Sequence, residues 1–99
     1  MEVLAHKTGE WFLLKSNNRY FLDVNCNYSI ASTSLSIELN QEEFDTFCDA
    51  GYSHIGALAS KIQSNFLKYQ TRDVSQTHSR TINEAIKQWH ATQNVKNAD

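Results

Sequence analysis

The chain predicts an α+β fold, a three-stranded antiparallel meander followed by three helices packed on one face of the sheet. Three observations lead there. Alternating and aromatic-rich stretches lie before residue 40 and helical spacing lies after it; such segregation favours α+β over a parallel α/β sheet. Ninety-nine residues, 40% hydrophobic, 20% charged and 11% aromatic, suffice for one core and not two. Three glycines and no proline leave collagen-like, proline-rich and flexible-linker architectures without their material.

The strands come first. Trp11-Phe12-Leu13-Leu14 and Arg19-Tyr20-Phe21-Leu22-Asp23-Val24 flank Ser16-Asn17-Asn18. Asparagine tolerates positive φ, so strands over 10–16 and 19–25 join as a hairpin. Tyr20, Leu22 and Val24 then share one face, and Phe21, Asp23 and Asn25 the other. A third strand over 28–39 follows, because Leu35, Ile37 and Leu39 alternate with Ser34, Ser36 and Glu38. Its first part, Ser29 to Ser34, is small and polar, compatible with an edge, a bulge or a bend. The sheet face bearing Phe21, Asp23 and the serines is expected to be open to a partner.

The helices begin at Asn40, an N-cap with Glu43 in the capping-box position. Phe44, Phe47 and Cys48 form the buried stripe of this helix, and Gly51 ends it. Ser53 caps a second helix, in which Ile55, Leu58, Ala59, Ile62, Phe66 and Tyr69 recur at helical spacing. Residues 71–79 have no period and read as a loop. Thr81-Ile82-Asn83-Glu84 is a second capping box, opening a third helix with Ile82, Ala85, Ile86 and Trp89 on one side. The domain spans 1–90, and the polar residues 91–99 form a frayed tail.

Little here resembles catalytic machinery. The N-terminus lacks a basic start followed by an apolar run, and no stretch of about 18 apolar residues exists. A cytoplasmic location with no membrane partner is expected. Cys26 and Cys48 then serve as free thiols, Cys48 in the buried stripe and Cys26 near a strand end, the more exposed of the two. His6, His54, His78 and His90 lack metal-ligand spacing, and Cys48 with His54 is two ligands short of a zinc site, so neither metal nor cofactor is expected. Gly9, Gly51 and Gly56 lie too far apart for a phosphate loop. His78 with Arg80 and Asp73 could serve a small hydrolase or nuclease, histidine moving a proton and arginine holding phosphate. A solvated loop has the same composition, and no catalytic residue is assigned. Residues 42–63 read helix, glycine, helix, like a helix-turn-helix. No Lys or Arg occurs between Tyr20 and Ser60, so phosphates would be met unassisted and nucleic acid is not a direct partner.

Charge is lopsided. Residues 1–19 carry +1, residues 20–60 carry −6 without a single base, and residues 61–99 carry +3, which together make the chain's −2. Five acids fall between Glu38 and Asp49. Acids in a first helical turn favour the helix dipole, which accounts for Glu42 and Glu43. Asp45 and Asp49 lie toward the end where anions are unfavourable, so helix stability does not explain them. At about 100° per residue, Glu42, Asp45 and Asp49 stand opposite or beside the apolar stripe. With Asp23 and Glu38 they form the predicted partner-binding surface, suited to steering a cationic protein such as a basic nuclease.

The segment Trp11 to Ile62 resembles the small immunity proteins encoded beside bacterial contact-dependent toxins. The resemblance rests on chain size, on Arg19-Tyr20-Phe21-Leu22-Asp23-Val24-Asn25-Cys26, on Ile37-Glu38-Leu39-Asn40-Gln41-Glu42-Glu43, and on Gly51, Ile55, Leu58, Ala59 and Ile62. It implies a non-enzymatic inhibitor that binds and neutralises one cognate toxin, often a nuclease, and it assigns no binding residue. The alternatives are the hydrolase built on His78 and a structural or regulatory module that self-associates through Trp11, Phe21 or Trp89.

Overall fold

The computed structural model describes residues 1–28 and 31–98, with side chains described over 1–26 and 34–92. Four strands, β1 (Glu2–Lys7), β2 (Trp11–Ser16), β3 (Arg19–Tyr28) and β4 (Ala31–Glu38), precede four helices, α1 (Gln41–Ala50), α2 (Tyr52–Ser64), α3 (Phe66–Gln70) and α4 (Ser75–Ala98). The α+β class is as predicted, with one more strand and one more helix. The strands pair antiparallel in the order β1-β2-β3-β4.

The β2–β3 hairpin closes as expected, Ser16 opposite Arg19, with Asn17 at φ +57°. The turn between β1 and β2 passes through Gly9 at φ +76°, a conformation that costs glycine little. β3 continues to Tyr28, opposite Ala31. Ser29 and Ile30, at the start of the expected third strand, lie outside the described residues.

β1 shows no alternating pattern in the sequence because its period is broken. The register shifts between Val3 and Ala5, a bulge that lets neighbouring side chains share a face. Val3 packs into one hydrophobic cluster, whereas Leu4 and Ala5 pack into the other.

The sheet is covered on both faces, which corrects the expectation of helices on one. One cluster joins Trp11, Leu13, Leu22, Val24, Cys26, Leu35 and Ile37 to Ile55, Leu58, Ala59 and Ile62 of α2 and to Phe66 and Tyr69 of α3. The opposite cluster joins Leu14 and Phe21 to Ile82 and Ala85 of α4, with Val3, Phe12 and Ile86 beside them. The face expected to be open is therefore closed by α4, and Phe21 is 1% exposed. Trp11 and Phe21 are interior, and Trp89 meets His6 at a tilt and Phe12 edge-on, ring centroids 4.3 and 5.5 Å away. Trp11 and Phe21 are thus spent on the core, while Trp89 remains partly exposed.

Helix boundaries differ where tertiary contacts set them. Gly51, at φ +75°, ends α1 and caps α2, and Ser53 lies inside α2 with its hydroxyl donating to Ala50 O. The expected single helix through Tyr69 breaks at Asn65, whose side chain donates to Lys61 O. α4 starts six residues before the Thr81–Glu84 box, within the expected loop. Val74 N–H donates to Ser36 O, and the Asp73 carboxylate accepts from Ser75 N–H, Ser75 Oγ and Ser36 N–H at 3.1, 2.7 and 3.1 Å. That clasp pins the start of α4 to β4. Downstream, α4 runs through the expected tail to Ala98.

Candidate functional site

α1 forms where the sequence places it. Asn40 Oδ1 accepts from Glu43 N–H at 2.8 Å while Glu43 Oε1 accepts from Asn40 N–H at 2.9 Å, a complete capping box. Phe44 and Phe47 rest on the Tyr20 ring at 4.9 and 6.1 Å, so the helix lies against the hairpin on the α2 side. Cys48 is exposed and Cys26 buried, both as free thiols, which reverses the expected order. Position 48 falls beyond the aromatic edge of the helix, whereas Cys26 faces the main core. Burial, reinforced by the charge of Asp23, pushes the Cys26 thiol up from its ordinary pKa and away from nucleophilic use.

The five predicted partner-binding carboxylates separate into three environments. Asp23 points toward α4, half-buried, accepting from Ser36 Oγ at 2.7 Å. Burial raises its carboxyl above the usual range, the Ser36 bond opposes this, and the charge of Asp73 adds to it. Glu38 is claimed by Arg19 in a two-pronged pair at 2.9 and 2.8 Å, whose hydrogen bonds and charge hold Glu38 low. Glu42, Asp45 and Asp49 are exposed on α1. Gln41 donates to Asp45 at 2.8 Å, and among the described residues no cation pairs with any of the three. At about 100° per residue they fall within about 60° of arc, opposite Phe47.

Asp23 gives a test of the α4 interface. In the native state this carboxyl holds its proton more tightly than in the unfolded chain, so its ionisation weighs against folding at neutral pH. Asp23→Asn keeps the acceptor for Ser36 and removes the charge beside Asp73. The variant should melt above the parent at pH 7, and the gap should close as pH falls through the carboxylate range, as read by calorimetry at several pH values.

The fifth acid of the run, Glu43, has turned inward. Its side chain is 13% exposed and meets Arg72 Nη1 and Nη2 at 2.9 and 2.7 Å. Arg72 Nη2 also donates to Glu38 O at 2.9 Å, tying the turn after α3 to α1 and β4. Burial would raise the Glu43 carboxyl, but the Arg72 and Asn40 hydrogen bonds and the Arg72 charge outweigh it and leave the group below its usual value.

Beside this pair lies a cleft that sequence reasoning missed. It measures about 560 Å³ and is bounded by Glu42, Glu43 and Thr46 of α1, His54, Ala57, Leu58 and Lys61 of α2, and Lys68, Tyr69 and Arg72. Its residues come from three helices and a turn, so no spacing along the chain announces it. His54 contributes an orphan, since its Nε2 is buried without a hydrogen-bond partner. Leaving such a group unmet costs about 1–3 kcal/mol.

Other chemistry does not assemble. His78 packs on the Phe21 ring at 5.0 Å, Asp73 is spent on the clasp, and Arg80 lies 3.7 Å from Glu84 on the exposed side of α4. None of them lines the cleft. Among the described residues no three metal-ligating side chains converge, and no helix is long and apolar enough to cross a membrane.

The chain matches no protein-family model, no curated protein and no solved structure. Its function rests on its own geometry.

Proposed function

We propose that this chain is a non-enzymatic, immunity-type inhibitor that acts in the cytoplasm, binding and neutralising a cognate cationic toxin of the nuclease class through the outer face of α1. One observation supports the reading most. Arg19 and Arg72 neutralise Glu38 and Glu43, yet among the described residues no cation pairs with Glu42, Asp45 or Asp49 on the neighbouring surface. The last turn of α1 carries no base, so Asp49 faces the negative end of the helix dipole without compensation. A row that carries its carboxylates on to Asp49, where the dipole disfavours them, suits a surface that meets charge from outside. Over seven residues the row runs about 10 Å, long enough to address several cations of a phosphate-binding site. The contact set is Glu42, Asp45 and Asp49, with Asp23 and Glu38 serving the fold.

Protection in cells tests this. Cells producing the protein encoded by the neighbouring gene should survive when the parent chain is co-produced. They should be lost when it carries Glu42→Gln, Asp45→Asn and Asp49→Asn, provided the variant melts like the parent. Equal protection by both would end the assignment of α1 as the contact face.

A further inference from the structure

We infer that the cleft between α1, α2 and α3 is a binding site for a small phosphate monoester with an apolar or aromatic body. The size fits, since small-molecule sites commonly enclose about 300–1,000 Å³ and this one has about 560 Å³.

The charge of the lining selects the sign of the ligand. Within a chain of net −2, the cleft gathers Lys61, Lys68 and Arg72 against Glu42 and Glu43. Glu43 and Arg72 satisfy one another, which leaves two lysines facing Glu42. Neither lysine is in an ion pair among the described residues. Lys61 and Lys68 each sit in a last helical turn, where a cation suits the dipole. Helix ends do not explain why two separate helices deliver these turns to one concave space. With Glu42 counted the lining carries one net positive charge, and the two ammonium groups supply donors for the several terminal oxygens of a phosphate.

The remaining lining accounts for the ligand's body. Ala57, Leu58 and the Tyr69 ring give the cleft an apolar wall, and that ring already carries Lys68 and Arg72 at 5.9 and 5.8 Å. His54 adds an imidazole whose buried Nε2 has no partner, the one orphaned polar side-chain atom found among the described residues. A buried polar atom without a protein partner in a cavity wall is available to an ordered water or a bound ligand. This site adjoins the contact row on α1 and shares Glu42 with it, whereas Asp45 and Asp49 lie outside the cleft.

Amide NMR of the full chain tests the assignment, with phenyl phosphate, inorganic phosphate and sodium chloride at matched ionic strength as probes. Phenyl phosphate should shift amides of residues 54–61 and 68–72 saturably and bind at least fivefold tighter than inorganic phosphate. Chloride should produce no such pattern. Lys61→Gln with Lys68→Gln, both exposed positions, should weaken phenyl phosphate at least tenfold without lowering Tm. Shifts that never saturate, that scatter over other surfaces, or that survive the double substitution would overturn the site. Equal affinity for the two phosphates would overturn the role of the apolar wall.

Discussion

Phe21→Ala should lower the free energy of unfolding by about 3–5 kcal/mol. The residue is 1% exposed and packs with Leu14, Ile82 and Ala85 beneath α4. The His78 ring and the Arg19 guanidinium lie 5.0 and 5.2 Å from its ring. Removing the ring leaves a cavity that α4 cannot fill without leaving β1 and β2. A domain of this size has about 5–15 kcal/mol in all, so the variant should be close to unfolding in mild urea. Urea titration followed by tryptophan fluorescence reads the shift in midpoint. A loss under about 1 kcal/mol would mean that Phe21 sits on an open face and α4 is not docked.

Arg72→Ala should cost about 2–3 kcal/mol. The substitution removes three hydrogen bonds and leaves the Glu43 carboxylate, 13% exposed, without its counter-ion. The arginine itself is 32% exposed, which keeps the loss below that of a fully buried pair. Because the Glu43 carboxyl is held low in the folded protein, the stability it confers is complete above its unfolded pKa. It disappears as pH falls through the folded value. The gap between parent and Arg72→Ala should accordingly be widest at neutral pH and shrink on acidification. In Glu43→Gln the same arginine substitution should cost much less, the signature of direct coupling.

Local rules were enough for the elements whose contacts are local. Asn17 announced the hairpin, Asn40 with Glu43 announced α1, and the spacing from Ile55 to Ile62 announced α2. The second face of the sheet also had its mark, in hindsight. Trp11-Phe12-Leu13-Leu14 is apolar without interruption, and both Leu13 and Leu14 are fully buried, as expected of a strand covered on both sides. A hairpin strand with a single buried face leaves no place for α4. The start of α4 was invisible for a different reason. It depends on Asp73 meeting Ser36, 37 residues away in the chain, rather than on a cap within the helix. Charge was half legible. Helical period correctly grouped Glu42, Asp45 and Asp49, but counting by segment could not see Arg19 reach Glu38 across 19 residues, nor Arg72 reach Glu43 across 29.

The most direct test of the α1 face is the rate at which the purified chain associates with the purified product of the neighbouring gene, followed by stopped flow as salt is raised. For the parent chain the rate constant should fall by at least tenfold between low and physiological ionic strength, as steered encounters do. With Glu42→Gln, Asp45→Asn and Asp49→Asn together it should start lower and change little with salt. Identical rates and identical salt slopes for the two proteins would contradict the role given to these three carboxylates.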